Sequence, residues 1–186
     1  SPFDVLFEPV KIGPVTAPNR FYQVPHCNAL GHRMPRGLAA MRGIKAEGGW
    51  GVVCTEETEI HHSSDLSPYV EGRLWSDDDI PAMALMADAV HEHGSLAGIQ
   101  LAYNGINATN LYSRAAPLGP RSMGTVGGTG WEPVQSRRMD KKDIRNVRLW
   151  HRQAALRARR AGFDIESRPW TGDDWILPQF RTGVLK

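Results

Sequence analysis

What most constrains this chain is the repeated alternation of short, wholly apolar runs with amphipathic stretches. "WGVVCTE" (50–56) and "SLAGIQLAY" (95–103) are continuous apolar runs, and "FDI" (163–165) starts another. Such runs suit strands buried on both faces, which occur where a parallel sheet is covered by helices. "NRFYQVP" (19–25) is aromatic, β-favouring and closed by Pro25, and reads as the first strand of the series. Before it, Val5, Leu6, Val10 and Ile12, punctuated by Pro9, Gly13, Pro14 and Pro18, suggest a small hairpin.

Helical spacing fills the intervals. Residues 37–48 carry Leu38, Met41 and Ile44 and stop at a Gly pair. A polar loop leads to Ser76 or Asp77 as N-cap, Pro81 in the first turn, and a helix that ends at Gly94. Residues 104–139 read as one long Gly-rich loop, a length that usually signals function. Asp140 then caps a helix whose buried stripe is read as Ile144, Val147, Leu149, Ala155 and Leu156, with Gly162 as its stop.

Strand–helix alternation leaves a doubly wound sheet or a (β/α)8 barrel. A dinucleotide fold wants GxGxxG after its first strand, and here that turn reads "PHCNALGHRMP". In a barrel, functional residues gather at the C-terminal ends of the strands. Pro25-His26-Cys27, Thr55-Glu56-Glu57 and Gln100 to Asn104 all fall at such ends. The expected class is therefore α/β, a (β/α)8 TIM barrel.

Composition narrows the partners. A net charge of +2 on 186 residues argues against nucleic acid or an anionic membrane surface. The Arg-rich face of the last helix reads as a solvated face. No apolar run reaches the roughly 18 residues of a membrane span. The first residues show no signal-peptide pattern and no initiator Met, so the chain reads as processed or a fragment. Two cysteines, Cys27 and Cys54, in apolar stretches suit a reducing, cytoplasmic setting. The scattered histidines, His91 and His93 included, offer no metal pair, and no metal is expected. Cys27 on its own is either a small buried hydrophobe or a reactive thiol.

"LFEPVKIGPVTAPNRFYQVPHC", "KAEGGWGVVCTEE", "AVHEHGSLAGIQLAYNG", "NLYSRAAPLGP" and "ALRARRAGFDI" together resemble the old yellow enzyme family of FMN-dependent oxidoreductases. The branch they resemble contains trimethylamine, dimethylamine and histamine dehydrogenases. The resemblance implies that Cys27 is bonded to C6 of the flavin, giving 6-S-cysteinyl FMN. The alternative is a free thiol beside a non-covalent flavin. It also implies that Val24, Pro25 and His26 pass along the flavin, largely by backbone, and that Gln100 hydrogen-bonds its pyrimidine edge. Tyr103, Asn104 and Glu57 fall on the substrate side. Glu57 departs from the trimethylamine enzyme, which has a tyrosine there, and suits a charged amine or another polar substrate. Cys54 is read as core.

The likeness ends near Ile165. A (β/α)8 domain takes about 250 residues, so residues 1–165 are expected to form its N-terminal half, about four strands and three helices. Residues 166–186 are expected to be a divergent tail. Glu166 to Pro169 look like a poor strand continuation. The iron–sulfur cluster of this branch and an electron-transfer flavoprotein partner are expected to belong to the missing part of a longer parent. An open half barrel exposes sheet edges and favours self-association. The resemblance implies hydride transfer from an amine or similar small molecule to FMN. An NAD(P)H-dependent ene-reductase and a non-catalytic half-barrel module are the rival readings.

Overall fold

A computed structural model describes residues 1–66, 71–124, 135–167 and 183–184. The chain opens with an antiparallel hairpin, β1 (Val10–Ile12) and β2 (Val15–Ala17). There follow β3 (Tyr22–Gln23), α1 (Pro35–Glu47), β4 (Val52–Glu59), β5 (Gly72–Arg73), α2 (Ile80–His91) and β6 (Leu96–Ala102). Next come β7 (Leu118–Gly119), β8 (Met123–Gly124), β9 (Gln135–Arg138), α3 (Lys141–Arg160), β10 (Ile165–Ser167) and β11 (Gly183–Val184).

Strands β3, β4, β6 and β10 lie side by side in chain order, and every pair among them is parallel. The order never reverses, as a doubly wound sheet would require. The helices share one face. Leu38 and Ala46 of α1, Met83, Met86 and Val90 of α2, and Ala154 and Ala158 of α3 form one core with Val53, Ala97, Ile99 and Leu101. The opposite face carries Tyr22, Val52, Cys54, Leu96 and Ile165, with Val15 and Ala17 of the hairpin packed against them. This is an arc of a (β/α)8 barrel, its helices outside and its inner face filled at the N-terminal end by the hairpin.

Alternation along β6 is strict: Ala97, Ile99 and Leu101 meet the helices, so Leu96, Gly98 and Gln100 share the inner face. Gly98 pairs with Cys54 across the sheet, and a Cβ on it would stand 2.4 Å from the Cys54 Sγ. Cys54 is buried, as expected, and its S–H donates to the Tyr22 hydroxyl at 3.0 Å. Burial pushes that thiol up to about 11.

The helix ends follow the expected caps. The Ser76 side chain accepts from the Asp78 N–H, Pro81 sits in the first turn of α2, and Gly94 and Gly162 take positive φ. Asp140 accepts from the N–H groups of Lys142 and Asp143 and opens α3. Arg157 and Arg160 on the basic face of α3 bind Asp77 at 2.9 and 2.6 Å.

Several expectations are corrected. The buried side of α3 is Val147, Ala154 and Ala158, whereas Ile144, Leu149 and Leu156 are exposed. Small side chains let this helix approach its neighbours, and that close approach selects the buried side over the larger residues. Ile44 of α1 is likewise exposed, and Arg42 lies buried in its place. Strand β3 ends at Gln23, because the Gln23 amide donates to the Val24 carbonyl and Pro25 has no N–H for a ladder. The segment 104–139 holds strands: β9 pairs parallel with β7 and antiparallel with β8. Its start is pinned by Asn110, whose side chain accepts from Asp65 N–H and donates to the carbonyls of Ser63 and Ala115. β10 runs through Ser167, two residues into the expected tail, because Glu166 and Ser167 pair with Ile99 and Gln100. Residues 183–184 add an antiparallel strand to the outer edge of β10. The rest of the expected tail lies outside the described residues. Among the described residues no helix is long and apolar enough to cross a membrane.

The Cys54–Gly98 contact is directly testable. Gly98→Ala should cost about 1–3 kcal/mol through overpacking, read by urea denaturation. The same substitution in a Cys54→Ala background should cost clearly less.

Candidate functional site

Beyond β3 the chain turns across the C-terminal ends of the strands, and two buried charges fix its path. Arg42 reaches up from α1 and is fully buried. Its Nη2 donates to the His26 carbonyl at 2.6 Å and its Nη1 to the Gln23 Oε1 at 3.2 Å. Glu56 on β4 is also fully buried, and its carboxylate accepts from the N–H groups of Asn28, at 2.9 Å, and Gly31. Residue 31 has to be glycine, because a Cβ would lie 2.5 Å from Glu56 Oε1 and 2.9 Å from the Gly72 Cα. The close approach of Gly31 to Gly72 brings β5, paired to the end of β4 at Thr58 and Glu59, alongside this turn.

Of the expected triplet Thr55-Glu56-Glu57, only Glu57 reaches the rim. Glu56 serves the turn, and Thr55 Oγ1 accepts from the Gln100 N–H at 3.3 Å. Glu57 lies close enough to the Cys27 sulfur for its charge to act on the thiol. Glu57 also pairs in register with Gln100 on β6. Cys27, Glu57 and Gln100 therefore lie in one row across three neighbouring chain segments.

Cys27 is exposed and free. The Glu71 carboxylate lies just ahead of β5, near this thiol. Partial desolvation and the neighbouring Glu71 and Glu57 carboxylates push the thiol up to about 12. Glu71 is itself pushed up to about 7 by desolvation and by the nearby Glu57 and Glu56, with the nearby thiol acting the other way. Its Oε2 is buried and has no hydrogen-bond partner among the described residues. Glu59, buried deeper, is pushed up to about 9 by desolvation, aided by the charges of Asp65, Glu57 and Glu71.

The other expected residues divide. Val24 is 63% exposed at the strand mouth, Pro25 is half-buried, and His26 is exposed with its Nδ1 3.0 Å from the Cys27 carbonyl oxygen. Gln100 is half-buried on the inner face, and its carboxamide makes no hydrogen bond among the described residues. Tyr103 and Asn104 are tied to the loop after β4. The Tyr103 hydroxyl lies 3.1 Å from Ser63 Oγ and its ring packs near Trp150. Asn104 donates twice to Ser64, at 2.7 and 2.9 Å. Arg42 and Glu71 were not anticipated. An arginine four residues after Leu38 and four before Ala46, on the buried stripe, was the available signal for Arg42. Glu71 had none, because only the tertiary pairing of β5 delivers it.

Two outcomes follow. Glu56→Ala strips the buried Gly31 N–H and the half-buried Asn28 N–H of their acceptor, at about 1–3 kcal/mol for the buried one, and should free the turn to faster hydrogen exchange at Asn28 and Gly31. Glu59 binds its proton more tightly folded than unfolded. Its contribution to stability is fully present below the ordinary carboxylate value of 4.5 and is lost as pH rises through about 9. Urea titrations across that window should show Glu59→Gln losing less stability with rising pH than the wild type.

Known proteins resemble this chain in sequence and fold. The family model for NADH:flavin oxidoreductases / NADH oxidases matches residues 5–166. Dimethylamine dehydrogenase of Hyphomicrobium sp. (strain x) is 43% identical over 168 residues, covering 88% of this chain and 23% of that protein. The structure of histamine dehydrogenase from Rhizobium sp. 4-9 superposes with a TM-score of 0.86 at 55% identity, covering 90% of this chain and 24% of that one. An NADPH dehydrogenase of Listeria welshimeri is 33% identical over 165 residues, covering 86% of this chain and 46% of that protein. The chain thus spans about a quarter of the amine dehydrogenases and just under half of the NADPH dehydrogenase. By the extent of its match and by the barrel arc that carries it, this chain belongs to the NADH:flavin oxidoreductase / NADH oxidase family.

Proposed function

We propose that this chain is the flavin-tethering half of the barrel of an amine dehydrogenase, with Cys27 bonded to FMN. The family is one of FMN-dependent oxidoreductases. The observation that carries the reading is the placement of Cys27. Its thiol is exposed at the strand mouths, beside Glu57, which pairs in register with Gln100.

The residues present fit the cofactor. Gln100 offers a carboxamide on the inner face that is unengaged among the described residues, able to donate and accept along the edge of a heterocycle. Val24 to His26 offer an exposed peptide run, held from beneath by Arg42. When bound, FMN supplies the hydride acceptor. The protein's own part is to position it. Arg42 and Glu56 keep the Cys27 turn rigid, Gln100 orients the ring, and Cys27 prevents its loss. Glu57 and Glu71 give the rim a negative field that favours a cationic amine over a neutral substrate. The 43% and 55% identities to dimethylamine and histamine dehydrogenases support the same substrate class. The onward electron acceptor, an iron–sulfur centre or partner flavoprotein, is assigned to residues outside this chain.

A second reading, an NADPH-dependent reductase, is favoured by the 33% identity to the Listeria enzyme. Intact mass and a visible spectrum of the protein at its natural length separate the two. Covalent FMN that survives denaturation and is lost in Cys27→Ala is the expected result. Yellow colour released by denaturation would remove the tether. Bleaching by NADPH and not by amines would move the assignment to the reductases.

A further inference from the structure

Two neighbouring helices carry opposite charge on the sides turned away from the core. On α3, Arg145, Arg148, Arg152 and Arg159 are exposed, and Leu149 and Leu156 among them are 45% and 49% exposed. At about 100° per residue, Leu156 lies about half a turn round the helix from Val147, on the side opposite the buried Ala154 and Ala158. On α2, Leu85, Asp88 and Glu92 lie opposite the buried Met83, Met86 and Val90, and Asp78 is exposed in the turn that leads into the helix. Among the described residues none of these arginines or carboxylates forms an ion pair.

The basic stripe is unfavourable when left in water. The positions four residues after Arg145, Arg148 and Arg152 hold Leu149, Arg152 and Leu156, where an acid would pair within the helix. The arginines therefore repel one another, and the leucines keep apolar surface exposed. Closing the barrel would not cover them. Neighbouring helices of a barrel pack on the flanks of α2 and α3, and these stripes point outward. An anionic membrane or a nucleic acid fits poorly, because it would meet Asp88 and Glu92 beside the arginines. What matches the pair of stripes is the same pair turned round. We infer that the outer sides of α2 and α3 form an interface between two copies of this chain, with α3 of each copy seated on α2 of the other.

Symmetry makes the arrangement specific. Both helices connect parallel strands, so they run the same way, and Arg157 and Arg160 tie them together through Asp77. A twofold axis lying along the helices sets α3 on the second copy's α2, and the reverse, so every contact occurs twice. A twofold axis across them would set α3 on α3 and place like charges together. In the first arrangement Leu156 meets Leu85. Arg159 and Asp88 each follow three residues later and meet in turn, and Arg152 faces the end that carries Asp78.

The test is sedimentation of the protein at its natural length over a range of concentration, with Arg159→Glu and Asp88→Arg made separately. Neither side chain has an ion pair within the described residues, so melting temperature and far-UV dichroism should stay at wild-type values. Each substitution sets like charges together at both symmetric contacts and should weaken the dimer by about 100-fold. Mixing the two variants in equal amounts should restore it. In the mixed pair the new glutamate faces the new arginine at one contact, and the other keeps its natural Arg159 and Asp88. A monomeric wild type would overturn the interface, and so would a dimer that survives both substitutions. Failure of the mixture to re-form the dimer would overturn the pairing of α3 with α2. A monomer that instead binds a foreign acidic protein, lost in Arg159→Glu and kept in Asp88→Arg, would give the basic stripe to that partner and overturn the second copy.

Discussion

Glu56 has no access to water, and its carboxylate is committed to two backbone N–H groups of the turn that carries Cys27. The rest of the rim depends on this contact. A buried carboxylate is tolerated only where hydrogen bonds replace its lost hydration, and here the replacement comes from the one segment that has to be immobile. Arg42 provides the counterpart from the helix side, bonding the carbonyl of His26 and the side chain of Gln23. The two charges grip adjoining stretches of one turn, so the sulfur between them inherits the rigidity of β4 and α1. A loop on the surface behaves like part of the core.

The electrostatics of the rim run in one direction. Four glutamates, Glu56, Glu57, Glu59 and Glu71, lie on or beside the ends of β4 and β5. Arg42 is the cation whose field reaches Glu56 and Cys27 from beneath. Burial, aided by the neighbouring carboxylates, makes Glu59 and Glu71 hold protons well above the usual carboxylate range. Such a cluster costs stability at alkaline pH. It also sets a bias for positive charge at the open side, where Val24 and Gln100 are reached.

Much of this architecture was legible in the sequence, and the parts that were not share a cause. Asp140, Ser76, Gly94 and Gly162 announced helix ends because capping is local chemistry, decided within a few residues. The strand order followed from the alternation of apolar runs. Cys27 and Gln100 stood at strand ends, where a barrel places its chemistry. What failed was the choice of buried side on the helices. Ile44, Ile144, Leu149 and Leu156 are the larger residues, yet Arg42, Ala154 and Ala158 are the ones inside. Which side faces in depends on how near two elements can come, and that is a property of the pair. Glu71 was invisible for the same reason, since its meeting with Cys27 runs through Gly31, Gly72 and the pairing of β5. Thr55 and Glu56 stood at the right height on the sheet but spend their side chains on support, Glu56 on the turn and Thr55 on the neighbouring strand.

The hairpin of β1 and β2 closes the inner face at the end opposite Cys27, with Val15 and Ala17 buried among Val52, Cys54 and Ile165. Along these strands the inner face is therefore stoppered at one end. The side chains of Glu57 and Gln100 stand toward the other, so the height of a residue along its strand decides whether it meets the hairpin or the surroundings.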